Sequence, residues 1–223
     1  RNMKKLLFLM GAALTISTSS FAQSPVGEGN FIIDPYAGIP NWANSILYSN
    51  YDGTNSSVSN YKVVGGMLSY GGRLEYMIAD NFGVGADVNY EVSGFEYDYV
   101  DSTYNAGSGT YSTATYHDKY AAKKLRIMAR LNYHFVQNDR VDAYTGFAGG
   151  YRNVNRSWES SNPNSVDDET NTTLIPVAIR LAIGTRVYFT ENIGAHVELG
   201  LGGGAIFQFG LSEIGRASCR ERV

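Results

Sequence analysis

The feature that most constrains this chain is a regular alternation of apolar and polar residues, which runs for ten or more positions in several separate stretches. The clearest stretch is 174–189, where the odd positions are mainly aliphatic and the even positions include Arg180 and Arg186. A period of two indicates a β-strand with two different faces. Long strands with one apolar and one charged face are typical of a barrel that crosses a membrane around a polar interior.

Turn-forming residues divide the chain into eight predicted strands. These strands are 31–39, 61–78, 82–95, 116–135, 141–151, 174–189, 193–201 and 205–212. Long polar segments follow the first, third and fifth strands, and short turns follow the second, fourth and sixth. We therefore expect an all-β, eight-stranded antiparallel up-and-down transmembrane β-barrel, with long extracellular loops and short periplasmic turns. A soluble barrel of the lipocalin type would line its cavity with apolar side chains and expose polar ones to water. Here one face carries many Arg, Lys, Asp and Glu residues, which favours a membrane barrel with a polar interior.

The alternation changes phase at Gly94. Before this glycine the apolar residues of the third strand occupy even positions, and after it they occupy odd positions, from Phe95 to Tyr99. An inserted residue in one strand produces such a change. We expect a β-bulge at Gly94 and a strand that continues beyond the membrane.

The two ends of the sequence differ from the rest. Residues 1–22 combine two lysines, an apolar run and a small-residue site at Ala22, which together predict a cleaved signal peptide preceded by two upstream residues. Residues 23–212 form the predicted barrel domain. Residues 213–223 break the alternation and contain the single cysteine, Cys219, so we interpret them as a non-native tail, with a genuine basic tail as the alternative. The net charge of −3 argues against a nucleic-acid partner.

The polar faces of the predicted strands collect charges of both signs. The predicted inward-facing set is Arg73, Glu75, Asp87, Glu91, Lys124, Arg126, Arg130, Arg180, Arg186, His196 and Glu198. An eight-stranded barrel is just wide enough for side chains to fill it, and buried charges are tolerated when they are paired. We therefore expect salt bridges that close the lumen. The alternative is a narrow porin-like channel for ions or small solutes, lined by the same groups.

Aromatic residues suggest two further surfaces. A membrane-interface girdle is predicted from Tyr76, Phe82, Tyr90, Tyr120, Tyr133, Phe135 and Phe189. A second group of tyrosines lies in the segment predicted as a long loop: Tyr97, Tyr99, Tyr104, Tyr111 and Tyr116. These tyrosines fit a recognition surface for an extracellular ligand, although a solvated hairpin that extends the girdle is the simpler interpretation.

Catalytic and cofactor chemistry have little support in the sequence. Among the three histidines, His134 and His196 fall on the inward face and His117 lies near a loop, so no nucleophile, base and orienting group converge by spacing. The acidic run 167–169 lacks the ligand spacing of a calcium loop and is interpreted as solvated. We expect neither an enzyme nor a cofactor or metal site.

The residues from Phe31 to Ser212 resemble the small OmpA/OmpX-like outer-membrane β-barrel domain family. The resemblance depends on the strand pattern and on glycine-spaced segments, such as 143–151 (AYTGFAGGY) and 193–202 (IGAHVELGLG). Members commonly end on an aromatic residue in the last strand, which this chain does not show. The resemblance implies a bacterial outer-membrane location, contact with membrane lipid and lipopolysaccharide, and a structural, surface or narrow-pore role. A monomer is expected.

Overall fold

The structure is a computed structural model that describes residues 26–39, 46, 58–107, 109–171, 173 and 175–216. These residues form ten strands: β1 (Asn30–Ile39), β2 (Val58–Val64), β3 (Ser69–Ala79), β4 (Phe82–Asn105), β5 (Thr110–Gln137), β6 (Val141–Ser160), β7 (Asp168–Asn171), β8 (Val177–Tyr188), β9 (Ile193–Gly202) and β10 (Phe207–Arg216). Within the described ranges, no helix has the length and apolar character needed to cross a bilayer.

Eight of these strands close into a barrel. Around the ring the order is β1, β3, β4, β5, β6, β8, β9 and β10, and every neighbouring pair is antiparallel. The first and last strands complete the ring, with a register that runs from Asn30 opposite Arg216 to Ile39 opposite Phe207. The predicted fold class, an eight-stranded antiparallel up-and-down β-barrel, is confirmed.

The two faces of the barrel have opposite chemistry. Large aliphatic side chains point outward and are half exposed, for example Ile127 at 50% and Leu181 at 59%. Along β8 the burial pattern alternates at almost every residue, so that Arg180 and Arg186 lie inside between outward-facing Ile179, Leu181 and Val187. The period-two pattern of the sequence is therefore the inside–outside pattern of the barrel wall.

Three strands are much longer than the sequence pattern predicts. β4, β5 and β6 contain 24, 28 and 20 residues, and β4 pairs with β5 without interruption from Phe82 opposite Tyr133 to Asn105 opposite Thr110. Their upper parts, 93–105, 110–122 and 154–160, join β2 on one side and β7 on the other. We call this five-stranded extension the upper sheet, and we call the end of the barrel beneath it the upper end. The predicted loops at 97–116 and 152–173 are thus largely paired strands, because cross-strand hydrogen bonds can continue wherever both strands continue.

The predicted second strand, 61–78, is wrong as a single element. Gly65 and Gly66 have φ values of 88° and 67°, a left-handed conformation that glycine adopts without steric cost. These two residues separate β2 from β3, and the two strands pair with different parts of β4. β3 pairs with β4 from Phe82 to Tyr90, whereas β2 pairs with its upper part, from Gly94 to Tyr99.

The predicted bulge at Gly94 is also wrong, although the continuation of the strand is confirmed. Gly94 pairs with Ala121 in an unbroken register, so Phe95 stays on the same face of the sheet as Glu91. The apolar residues change phase because the two faces exchange character: above the barrel the outward face carries charged side chains such as Lys119 and Glu159, and aromatic rings pack together on the inward face. Tyr120 lies on this inward face, beside Phe95 and Trp158, so its assignment to the outward girdle is corrected.

The ends of the barrel differ from the predicted domain boundary. β10 continues through Glu213 to Arg216, and Ile214 is 2% exposed inside the barrel. Residues 213–216 therefore belong to the last strand, because their pairing with β1 closes the ring. The predicted signal peptide, the rest of the predicted tail and most of the predicted first loop lie outside the described residues.

Candidate functional site

The centre of the lumen is organised around one carboxylate, that of Glu198 on β9. Arg130 donates to it from β5 at 2.5 Å, Arg180 donates from β8 at 3.1 Å, and Arg73 on β3 forms a third ion pair. The hydroxyl of Tyr144 also donates to Glu198, at 3.0 Å. Three guanidinium groups from three different strands thus converge on one buried anion, which joins opposite walls of the barrel.

A second cluster nearer the short turns has the reverse composition. Arg186 on β8 donates to three carboxylates, at 2.8 Å to Asp34, 2.6 Å to Glu75 and 2.8 Å to Asp142. These acids come from β1, β3 and β6. A single arginine can satisfy several acceptors because its planar fork carries five N–H donors. The first cluster therefore has an excess of cations and the second an excess of anions.

His134 lies within the second cluster. Its Nδ1 is 2.7 Å from Asp142, and its Nε2 is 2.9 Å from Glu75. Ionised carboxylates only accept hydrogen bonds, so both ring nitrogens must donate when both acids are ionised, and the ring is then an imidazolium. With this charge, the two clusters contain five cations, Arg73, Arg130, His134, Arg180 and Arg186, and five anions, Asp34, Glu75, Asp87, Asp142 and Glu198.

His196 has the opposite hydrogen-bonding role. Its Nε2 lies 3.1 Å from Nη2 of Arg73, which can only donate, so this nitrogen must accept. Its Nδ1 lies 3.1 Å from the carbonyl oxygen of Leu211 and can donate to it. The surroundings thus fix a neutral ring and its tautomer.

A third group of charges lies higher in the barrel. Glu91 pairs with Lys124 and Arg126, both at 3.0 Å, and Arg126 also donates to the side-chain oxygen of Asn89 at 2.7 Å. The side chain of Lys124 is 18% exposed, more than those of Arg126 and Glu91. This group therefore lies at the upper mouth, where the filled lumen meets the space beneath the upper sheet.

The two central charged clusters are bounded above and below by uncharged side chains. At the lower end, Val26, Ile32, Met77, Tyr188 and Ile214 form a buried cluster. At the upper end, the turn between β9 and β10 places Ala205 at 0% exposure, and Met128, Ala148 and Ala178 form a second buried cluster. The clusters around Glu198 and Arg186 are therefore packed between two layers of buried, uncharged side chains.

Small inward-facing residues provide the space for these large groups. Tyr144 is paired directly across from Gly184, and a Cβ on Gly184 would lie 2.6 Å from the Tyr144 ring. A Cβ on Gly200 would overlap the guanidinium of Arg180. Interiors tolerate little overlap, so each glycine is matched to a particular neighbour.

The structure places all of the predicted inward-facing residues on the inner face and brings them into these three charged groups. It adds residues that the sequence reasoning missed, namely Asp34, Tyr36, Asp142 and Tyr144. His134 was predicted to face inward but was not predicted to join the ion pairs. Asp34 could have been predicted from the alternation of the first strand, because Ile32, Asp34 and Tyr36 lie on the same face. Asp142 was harder to detect, because small residues on both faces of β6 obscure the period.

The remaining predicted aromatic residues fall into two sets. Apart from Tyr120, the predicted girdle residues face outward and are exposed: Tyr76, Phe82, Tyr90, Tyr133, Phe135 and Phe189. Among the predicted loop contacts, Tyr97, Tyr99 and Tyr116 lie on the inward face of the upper sheet. Tyr104 and Tyr111 instead form an exposed pair at its tip, with ring centroids 5.0 Å apart.

No family model matches the sequence, and no curated protein is significantly similar to it. Among solved structures, the N-terminal β-barrel domain of OprF from Pseudomonas aeruginosa is similar over 85% of this chain and 99% of that domain, at 15% identity and a TM-score of 0.41. The outer membrane protein OprG from the same species is similar over 86% and 98%, at 12% identity and a TM-score of 0.48. Ail, the attachment invasion locus protein of Yersinia pestis, is similar over 84% and 95%, at 11% identity and a TM-score of 0.38. The fold described above depends on the strand pairing of this chain alone.

Proposed function

We propose that this protein is a bacterial outer-membrane β-barrel with a structural and surface-interaction role. The eight-stranded ring would be the membrane anchor, the lumen would be closed by ion pairs, and the upper sheet would be displayed outside the cell. In this arrangement the barrel transports nothing, and the upper sheet that it displays above the membrane performs the function.

The observation that carries the proposal is the ion-pair cluster around Glu198. The side chains of Glu198, Arg180 and Arg186 are 0% exposed, so they leave no hydrated path along the barrel axis at their level. Buried charges are stable in such a place only when they are paired and hydrogen-bonded, and these groups are. A conducting pore would instead keep its lining charges in water.

The outward face supports the membrane part of the proposal. Its side chains are mainly aliphatic, and exposed aromatics lie at the lower rim, such as Phe82 and Tyr133, and higher up at Tyr90. An apolar band with aromatic girdles at its two edges is typical of outer-membrane barrels. The short turns after β3, β5 and β8 fit the periplasmic side, and the upper sheet fits the extracellular side. Contact with lipopolysaccharide and a monomeric state follow as expectations.

Conductance of the refolded protein in a planar bilayer tests the closed lumen. We expect no steady channel from samples whose far-ultraviolet circular dichroism confirms folded β-structure. Single channels of reproducible size would contradict the proposal and establish the narrow porin-like channel in its place.

A further inference from the structure

The inward face of the upper sheet carries a continuous group of aromatic rings. Rings in contact have centroids 5.5 to 6.5 Å apart, Phe95 contacts both Tyr61 and Tyr97, and each ring is half-buried. The group consists of Trp158, Tyr120, Phe95, Tyr61, Tyr97, Tyr99 and Tyr116. We call this surface the aromatic face.

Asp118 lies in the middle of the aromatic face. Tyr116 and Tyr120 flank it two positions away on β5, Tyr97 is opposite on β4, and Ser160 is opposite on β6. Asp118 is 6% exposed and accepts hydrogen bonds from the hydroxyls of Tyr97 at 3.3 Å and Ser160 at 2.6 Å. A buried carboxylate is therefore enclosed by aromatic rings and neutral donors.

The carboxylates on the opposite face of the same sheet each pair with a basic side chain. Glu96 pairs with Lys62 at 3.8 Å, Asp98 with His117 at 2.7 Å, and Glu159 with Lys119 at 3.2 Å. In the part of the chain that the structure describes, no lysine or arginine forms an ion pair with Asp118, although this carboxylate is the most buried of the four. The aromatic face thus has a negative centre that the described chain does not neutralise.

The chemistry of this surface is selective for a particular kind of cation. The face of an aromatic ring is electron-rich and attracts cations within about 6 Å of its centre, most strongly when the cation sheds water readily. Burial and the adjacent Asp118 raise the pKa of the Tyr97 hydroxyl, so this phenol stays neutral and donates to the carboxylate. Donation to an anion increases the electron density of the ring. Strongly hydrated metal ions prefer several oxygen ligands, whereas this site offers one carboxylate and several ring faces.

From this arrangement we propose that the aromatic face binds a small soluble organic cation, of the methylated-ammonium class, over the rings that surround Asp118. The proposal rests on the surface role proposed above and names its ligand class. Charge complementarity specifies the occupant: the rings supply contact area, and the Asp118 carboxylate supplies the opposite charge.

Tryptophan fluorescence of the full chain provides the test. The sequence contains two tryptophans, so Trp42→Phe leaves Trp158 of the aromatic face as the reporter. Titration with tetramethylammonium chloride should give a saturable change, whereas sodium chloride at equal ionic strength should not. Choline should bind, and its neutral isostere 3,3-dimethylbutan-1-ol should bind about ten-fold more weakly, because the loss of charge removes the cation–π attraction.

Two variants with matched chemistry separate the site from the fold. Asp118→Asn should weaken tetramethylammonium binding by about ten-fold, while Asp98→Asn, on the opposite face of the same sheet, should leave it unchanged. Tyr97→Phe keeps the ring and removes only the hydroxyl, so a few-fold loss is expected, with circular dichroism confirming the fold of each variant.

Several results would overturn the proposal. These are a wild-type titration without saturation, equal affinity of the Asp118→Asn variant, and equal binding of the neutral isostere. Binding to phosphatidylcholine vesicles without binding of free tetramethylammonium would also overturn it, because the face would then recognise a lipid surface. None of these results would alter the conductance experiment, so the two proposals can fail separately.

Discussion

Arg73 and Glu198 form an ion pair across the lumen although 125 positions separate them in the sequence. They lie on β3 and β9, which are separated around the ring by β1 and β10. Their contact therefore exists only when the ring is closed. It links the stability of the barrel to the pairing of its inner charges.

Replacing Glu198 with glutamine should lower the urea midpoint of unfolding. The change leaves Arg73, Arg130 and Arg180 around an uncharged amide, and breaking a buried ion pair in this way typically costs about 3–5 kcal/mol. The control is Glu169→Gln, since Glu169 is exposed on β7 and accepts a hydrogen bond from Asn155. Unchanged stability together with altered ion selectivity would instead support a hydrated pore.

Arginine on the outward face should destabilise the protein when it is refolded into lipid. Ile127 and Leu181 are candidates near the middle of the apolar band, and the expected cost of Ile127→Arg or Leu181→Arg is about 2–4 kcal/mol. Asn164→Arg, in the exposed connection between β6 and β7, should cost little. Equal unfolding midpoints for all three variants would show that the outward face does not contact lipid.

The glycine opposite Tyr144 should not tolerate a methyl group. Gly184→Ala would place a Cβ 2.6 Å from the Tyr144 ring, which is 0% exposed and cannot move away without disturbing Glu198. Overpacking of this kind costs about 1–3 kcal/mol. Gly149→Ala is the matched control, because its Cβ would meet only the Phe147 ring at 3.9 Å. Similar midpoints for the two variants would mean that the lumen has free volume near Tyr144.

Protease added to intact cells should reveal the orientation. We expect cleavage between Asn105 and Thr110 and between Ser160 and Asp168, because the segments on either side of these connections are held in paired strands. The short turns at 79–81, 137–140 and 190–192 should stay intact until the outer membrane is opened. Cleavage confined to these short turns would reverse the proposed orientation.

The sequence by itself determined the class of fold and the two faces of its wall. Alternation is a local property, since neighbouring side chains of a strand point to opposite sides whatever the strand pairs with. For that reason Arg73, Arg130 and Glu198 could be placed inside before any pairing was known. The turn signals at 79–81, 137–140 and 190–192 likewise mark where the strands reverse.

Only the tertiary structure decided which inner charges meet, because the stagger of strands around a closed ring is a non-local property. It also decided the environment of each face. The inward face of β4 is the same face below and above Gly94, but below Gly94 it lines a filled, charged lumen and above Gly94 it carries half-buried aromatic rings. The alternation of apolar residues depends on what surrounds each face and not only on the direction of the side chains. The change of phase at Gly94 therefore suggested a bulge, although the strand is regular there. Tyr120 was assigned to the wrong face for the same reason, and the aromatic surface around Asp118 became visible only when β4, β5 and β6 were aligned.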